Sequence, residues 1–139
     1  MKRITTLAHD FLLEHLQPGA NICDLTCGKG SDTLFCAQHF KTVITFDIQL
    51  EAIKFAKEKC RNYQNIVFIN QSHEWIDQYI YQKCDAFIFN GGYLPDSLSI
   101  ITTQTKSSLV AFKKATELLN SNGYLVCTFY RKHEGGNNE

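Results

Sequence analysis

The stretch DLTCGKGSDT, from Asp24 to Thr33, concentrates residues capable of binding chemistry at one turn. It holds two carboxylates, Asp24 and Asp32, and two glycines, Gly28 and Gly30, between two apolar segments. Glycine lets the backbone turn sharply or come close to a ligand. Carboxylates accept hydrogen bonds from hydroxyls and attract positive charge. The turn therefore predicts a site for a ligand that carries hydroxyls or a cation.

Two cofactor classes compete for this turn. A dinucleotide-binding GxGxxG turn uses its third glycine for close helix packing around a pyrophosphate, and here that position holds Thr33. A carboxylate at Asp24 would repel a pyrophosphate, whereas it would attract the ammonium and sulfonium groups of S-adenosylmethionine (SAM). The residues favour SAM over NAD, and an ordinary tight turn is the third interpretation.

Asp47 ends the next apolar run, TVITF. A carboxylate can accept two hydrogen bonds, which matches the two hydroxyls of a ribose. The alternative is that Asp47 caps the helix predicted to begin near Leu50. Ile48 and Gln49 intervene, so we favour the ribose contact.

Two later apolar runs are also followed by polar residues, Gln71-Ser72-His73 and Asn90-Gly91-Gly92-Tyr93. The carbonyl of an asparagine can accept a hydrogen bond from an amine and orient its lone pair toward a methyl donor. A tyrosine can stack on a base. Asn90 and Tyr93 are therefore predicted to act on the methyl acceptor, although the glycines and Pro95 would also suit a plain turn.

These residues require elements that bring them together, and the periodicity of apolar residues predicts alternating helices and strands. The predicted strands are Asn21–Leu25, Thr42–Phe46, Ile66–Ile69, Asp85–Phe89 and Tyr124–Tyr130, and the predicted helices are an amphipathic first segment ending before Pro18, then Asp32–Phe40, Leu50–Arg61, Glu74–Tyr81 and Thr103–Leu119. Such alternation gives a mostly parallel sheet covered by helices on both faces. Ligands bind beyond the carboxyl ends of such strands, where the polar residues fall.

Composition narrows the class of protein. The 139 residues suffice for one domain, and the 14 basic and 14 acidic side chains give no net charge. No apolar run approaches the roughly 20 residues that span a bilayer, and charged residues interrupt the first helix, so we expect a cytoplasmic protein without a membrane segment. The six cysteines form no CxxC pair, so no metal site is expected.

With these motifs assembled, the chain resembles the putative rRNA methylase family of class I methyltransferases. The resemblance rests on DLTCGKGSDT, FDIQLEAI, QSHEWI, FNGGYLPDSLSIITT and YRKHEGGNNE, which cover nearly the whole chain in the family's order. It implies an α/β, Rossmann-like fold and methylation of the 5-aminomethyl group of wobble 2-thiouridine in tRNA. It also implies that the usual C-terminal strands of the fold are absent, which would leave the last strand as an exposed edge and favour a homodimer.

The resemblance and the residues together give one predicted site. The cofactor-binding set is Asp24, Gly28, Lys29, Gly30, Asp32, Thr33, Asp47, Gln49, Ser72 and His73, with Asn90 and Tyr93 on the acceptor side. The predicted partner is tRNA through its anticodon region. A methyltransferase for a small amine and a SAM-binding remnant that acts through interactions are the alternatives.

Overall fold

The structure, a computed structural model, describes residues 3–93 and 98–130. Five strands form one parallel sheet: β1 (Asn21–Asp24), β2 (Thr42–Phe46), β3 (Ile66–Ile69), β4 (Cys84–Tyr93) and β5 (Leu119–Tyr130). The part of the chain that the structure describes also forms four α-helices, α1 (Ile4–His15), α2 (Ser31–His39), α3 (Leu50–Lys59) and α4 (Leu98–Leu118), and a 3-10 helix at His73–Gln78; all but α1 connect successive strands. The predicted Rossmann-like α/β architecture is thereby confirmed.

The strand order is β3-β2-β1-β4-β5, so the direction of winding reverses at β1. Asp24, the last residue of β1, lies between Thr45 of β2 and Ile88 of β4. A reversal of this kind opens a crevice at the carboxyl ends of the central strands, which is where open α/β sheets bind ligands. The topology therefore places the glycine turn, which follows β1, at this crevice.

Both faces of the sheet are covered, as the alternation of buried residues along β1 shows. Ile22 packs with Leu12 of α1 and Cys36 of α2 on one face. Cys23, the next residue, packs on the other face with Ile76 of the 3-10 helix and Ala115 of α4. Successive side chains of a strand point to opposite faces, so a sheet buried on both sides needs continuous apolar runs.

The fourth strand is longer than the sequence indicates, because it continues through Gly91 and Gly92 to Tyr93. The prediction that this strand ends at Phe89 and that NGGY forms the following turn was wrong. A Cβ atom on Gly91 would lie 2.7 Å from Cδ1 of Phe129 on β5. A glycine inside a strand commonly marks such a close approach.

Three other boundaries differ from prediction by three residues or more, and the rest by at most two. The predicted helix Glu74–Tyr81 is a 3-10 helix that ends at Gln78, with non-helical angles at Trp75. Helix α4 begins at Leu98, ahead of the predicted Thr103. Strand β5 begins at Leu119 because that residue pairs with Cys84, ahead of an irregular stretch in which Asn122 adopts φ 69°.

Two observations bear on the predicted location and oligomeric state of the protein. Among the helices of residues 3–93 and 98–130, none is long and apolar enough to cross a membrane. Within the same residues β5 pairs with β4 only, at one edge of the sheet. The cytoplasmic location and the homodimer through this edge stay predictions.

Candidate active site

The glycine turn after β1 has the backbone conformation that its residues predict. Gly28 and Gly30 have φ angles of 53° and 90°, in the left-handed region that favours glycine. A Cβ atom on Gly30 would lie 2.8 Å from Cβ of Ala56 on α3. Gly30 therefore lets the start of α2 pack against α3, while Gly28 and Lys29 remain at the exposed surface of the turn.

Asp47 joins this turn to the end of β2. Its Oδ2 accepts a hydrogen bond from the backbone N–H of Gly28 at 2.9 Å, and its Oδ1 accepts one from Gln49 at 2.9 Å. Each carboxylate oxygen has a second lone pair, so both can still accept a ligand hydroxyl. Helix α3 begins at Leu50 with Gln49 at its N-cap and without a side-chain cap bond, so the helix-capping alternative does not account for Asp47.

Asn70, a residue that the sequence reasoning missed, supports the same loop. Its Nδ2 donates to the backbone carbonyls of Asp47 at 3.0 Å and of Ile48 at 3.2 Å. Asn70 directly follows β3, so its position as a polar residue after a strand was the signal that could have identified it.

Asp24 lies beneath the turn and is fully buried. Its Oδ1 accepts the backbone N–H of Thr26 at 3.0 Å, and its Oδ2 lies 2.8 Å from the hydroxyl of Thr33. Burial raises the pKa of this carboxyl to about 8, and the nearby charge of Asp32 adds to the effect. In the structure Asp24 therefore organises the turn from within, and its direct contact with a cofactor stays a prediction.

Thr33 completes the buried network, because its hydroxyl also lies 2.9 Å from that of Thr45 on β2. Thr33 is fully buried on the first turn of α2. It stands where a dinucleotide-binding turn would have its third glycine, and it binds Asp24 instead of opening space. The predicted contact of Thr33 with the cofactor stays a prediction.

Asp32, the neighbouring carboxylate, is partly buried on the same helix turn. Its Oδ1 is 2.6 Å from Nε2 of His9 on α1, and its side chain is 12% exposed. All three carboxyl groups adjoin the glycine turn: Asp24 accepts the N–H of Thr26, Asp47 accepts that of Gly28, and Asp32 lies on the first turn of α2. With its pKa raised to about 8, Asp24 is mostly uncharged at neutral pH, so the negative charge at the turn belongs to the carboxylates of Asp32 and Asp47. That charge suits a cationic ligand and disfavours a pyrophosphate.

Ser72 and His73 follow β3 on the same edge of the sheet. The Ser72 hydroxyl accepts the backbone N–H of Glu74 at 3.2 Å and caps the 3-10 helix. His73 Nδ1 donates to the carbonyl of Leu25 at 3.0 Å, and its Nε2 lies 3.3 Å from the hydroxyl of Ser107 on α4. In the neutral ring Nε2 is then the acceptor. Ser107 lay within a predicted helix, where no sequence signal distinguished it.

Asn90 is fixed next to the end of β1. Its backbone N–H donates to the hydroxyl of Thr26 at 2.8 Å. The backbone of Tyr93 belongs to β4, but its side chain lies outside the described residues. The structure thus brings Asn90 to the same edge as the glycine turn, and the acceptor-side roles of both residues stay predictions.

The described residues also form a cavity, which lies away from this edge, and they include no group of side chains suited to a metal ion. A cavity of about 300 Å³ lies at the opposite, amino end of the strands, lined by residues such as Asn21, Thr42 and Cys84, and it contains no predicted site residue. Across residues 3–93 and 98–130, no three His, Cys, Asp or Glu side chains are grouped so that they could hold a metal ion.

The residues at the edge fit SAM. The turn exposes backbone at Gly28, where a Cβ atom would meet only the Thr26 carbonyl at 4.0 Å, so a ligand can approach there. Asp47 offers acceptors for a ribose, and the carboxylates of Asp32 and Asp47 favour the cationic groups of this cofactor.

The chain is similar in sequence and structure to known methyltransferases. The sequence pattern of the family described as Putative rRNA methylase matches residues 43–139. A solved rRNA methylase from Streptococcus thermophilus is 33% identical with a TM-score of 0.83, and the alignment covers 99% of this chain and 76% of that one. SMU.1697c from Streptococcus mutans, described as a putative methyltransferase and solved in complex with SAH, is 35% identical with a TM-score of 0.77, covering 98% and 76%.

A curated relative adds a substrate for comparison. The chloroplastic tRNA (mnm(5)s(2)U34)-methyltransferase of Arabidopsis thaliana is 28% identical over 158 residues, which cover 99% of this chain. The alignment covers 56% of that protein, so the chain spans just over half the length of this relative.

Proposed function

The chain belongs to the Putative rRNA methylase family, and from that premise we propose that it transfers a methyl group from SAM to the aminomethyl nitrogen of wobble 5-aminomethyl-2-thiouridine in tRNA. Its fold is that of a class I, SAM-dependent methyltransferase. The family and the fold are observed, whereas the activity of this chain and the identity of its substrate are proposed.

The observation that carries the proposal is the junction of Asp47 with the glycine turn. The carboxylate is fixed by two backbone N–H groups, those of Gly28 and Gln49, and so it is oriented before a ligand arrives. Preorganised acceptors reduce the entropy lost on binding. We assign Asp47 to the ribose hydroxyls and the backbone at Gly28 to the methionine end of the cofactor, whose cationic groups the acidic surroundings stabilise.

The bound cofactor would supply an electrophilic methyl group. The side chain of Asn90 would accept a hydrogen bond from the substrate amine and direct its lone pair. The amine must arrive neutral, because a protonated amine has no lone pair. Positioning and exclusion of water can supply most of such a rate enhancement, so a strong general base is not required.

The choice of tRNA is supported by the name of the Arabidopsis thaliana relative, which modifies U34. The chain has no net positive charge, so it would not bind RNA through a global basic field. Recognition of tRNA would then depend on local contacts. Lys29 lies exposed at the turn, whereas Arg131, Lys132 and His133 lie outside the described residues.

The test is a methyl-transfer assay on bulk tRNA from a strain that lacks the modification, followed by mass spectrometry of the nucleosides. We expect SAM-dependent conversion of 5-aminomethyl-2-thiouridine to its methylamino form. The control is tRNA from the wild-type strain, in which the acceptor amine is already methylated. Methylation of small amines without methylation of tRNA would contradict the proposed substrate.

A further inference from the structure

His9 of α1 contacts Asp32, a residue of the predicted cofactor site, although His9 itself was not part of that prediction. Its Nε2 lies 2.6 Å from Oδ1 of Asp32, across 23 residues of sequence. A carboxylate oxygen accepts hydrogen bonds, so Nε2 must carry the proton and donate it to Asp32. Hydrogen bonds to an ionised group are shorter and stronger than neutral ones.

The imidazole is also held by packing. Its ring stacks on that of Phe35 with centroids 3.9 Å apart and planes 6° from parallel. Phe35 and Asp32 both belong to α2, three residues apart, and residues at this spacing lie on one face of a helix. The stack sets the plane of the ring and the hydrogen bond sets its direction, so the position of Nε2 is fixed by two independent contacts.

We propose that His9 is a positioning residue of the cofactor site, which holds the Asp32 carboxylate in one rotamer so that Oδ2 is presented to the cofactor. This inference rests on the proposed function. An Asp side chain otherwise samples three χ1 rotamers, and the ligand would have to select one of them. The bond to Oδ1 removes that freedom before the ligand arrives, which strengthens binding without a direct contact.

The competing interpretation is that His9 only attaches α1 to α2. Leu12 of α1 is fully buried in the core on this side of the sheet, so the helix is anchored without His9. A purely structural His9 would affect the unfolding free energy, whereas a positioning His9 would affect cofactor affinity through the N–H donor. Two substitutions separate these properties, because the ring and the donor can be removed one at a time.

The experiment is SAM binding by calorimetry to the full chain and to its His9→Phe and His9→Gln variants. Phenylalanine keeps an aromatic ring against Phe35 and loses the donor, whereas glutamine keeps an N–H donor and loses the ring. We expect His9→Phe to weaken SAM binding by about threefold, the cost of selecting one of three χ1 rotamers on binding, and His9→Gln to keep the wild-type affinity. In an Asp32→Asn background, His9→Phe should cause little further loss.

Wild-type affinity in His9→Phe, or additive losses from His9→Phe and Asp32→Asn, would overturn the inference while leaving the proposed function intact. Failure of the wild-type chain to bind SAM would overturn both. Should His9→Phe not fold, nitrogen-15 spectra of the wild-type imidazole replace it. A change in the His9 Nε2 signal on addition of SAM is expected, and an unchanged signal at saturation would overturn the inference.

Discussion

The carboxylate of Asp47 and the backbone nitrogen of Gly28 are joined by a hydrogen bond of 2.9 Å that links the end of β2 to the turn after β1. The two residues are 19 positions apart in sequence and follow adjacent strands of the sheet, Gly28 in the turn after β1 and Asp47 directly after β2. This bond places the predicted ribose acceptor beside the predicted site of the methionine group. Replacement of Asp47 should therefore affect binding of the cofactor more than stability of the fold.

For Asp47→Ala we expect SAM binding to weaken by about 1.5–3 kcal/mol, the range for hydrogen bonds to a charged group. Calorimetry measures the change. The matched control is Asp77→Ala, since Asp77 forms an ion pair of 2.7 Å with Lys114 and has no predicted role in binding. Equal dissociation constants for the two variants would reject the ribose assignment.

Gly30→Ala should destabilise the fold. The left-handed conformation costs a non-glycine residue about 1–2 kcal/mol, and the new Cβ atom would also lie 2.8 Å from that of Ala56. Gly19→Ala is the control, because no atom beyond Gly19 and its two chain neighbours lies within 4 Å of a Cβ at this position. Urea unfolding should show a clear decrease in the free energy of unfolding for Gly30→Ala and a change within about 0.5 kcal/mol for Gly19→Ala. Similar losses would show that the turn does not pack on α3 as described.

Asp24→Asn should change how stability depends on pH. Burial raises the pKa of Asp24 to about 8 in the folded protein, whereas the ordinary value is 3.8. Between these values the folded chain binds a proton that the unfolded chain has released, so the contribution of Asp24 to the unfolding free energy falls as the pH rises from about 4 to 8. Asparagine does not titrate, so the variant should gain stability relative to wild type across this window. If the unfolding free energies of the two proteins differ by the same amount at pH 5, 7 and 9, the raised pKa of Asp24 would be contradicted.

Asn90→Ala should lower the rate of methyl transfer and leave SAM affinity nearly unchanged. An interaction that orients the amine acts mainly in the transition state, and its loss therefore appears in kcat. Asn70→Ala provides the contrast. Its side chain donates to the carbonyls of Asp47 and Ile48, so its loss should weaken SAM binding first. A fall in SAM affinity for Asn90→Ala as large as that for Asn70→Ala would contradict the acceptor-side role.

The order of elements and the gathering of the candidate site residues at one edge of the sheet were predictable from sequence, because apolar periodicity and the polar residues after each strand are local signals. The turn at Gly28 and Gly30 is an example, since positive φ angles are typical of glycine in that pattern. The extension of β4 was not predictable in this way. It depends on the packing of Phe129 over Gly91, a contact across 38 residues that only the folded sheet brings together.

The burial of individual polar side chains could also not be predicted from the sequence. Asp24 was predicted to face a ligand, but the hydroxyl of Thr33 and the backbone of Thr26 bind it within the turn. The sequence does not show which side of a strand end faces the interior. The bond from His9 to Asp32 is a similar case, because the two residues lie on different helices whose packing was not predictable.

The most direct measurement is a crystal structure of the chain with S-adenosylhomocysteine. We expect the cofactor at the carboxyl ends of β1 and β2, with the ribose hydroxyls within about 3.2 Å of the Asp47 carboxylate oxygens. The backbone at Gly28 should lie against the homocysteine portion. Ligand density in the cavity at the amino ends of the strands, or a ribose held by residues other than Asp47, would contradict this placement of the cofactor.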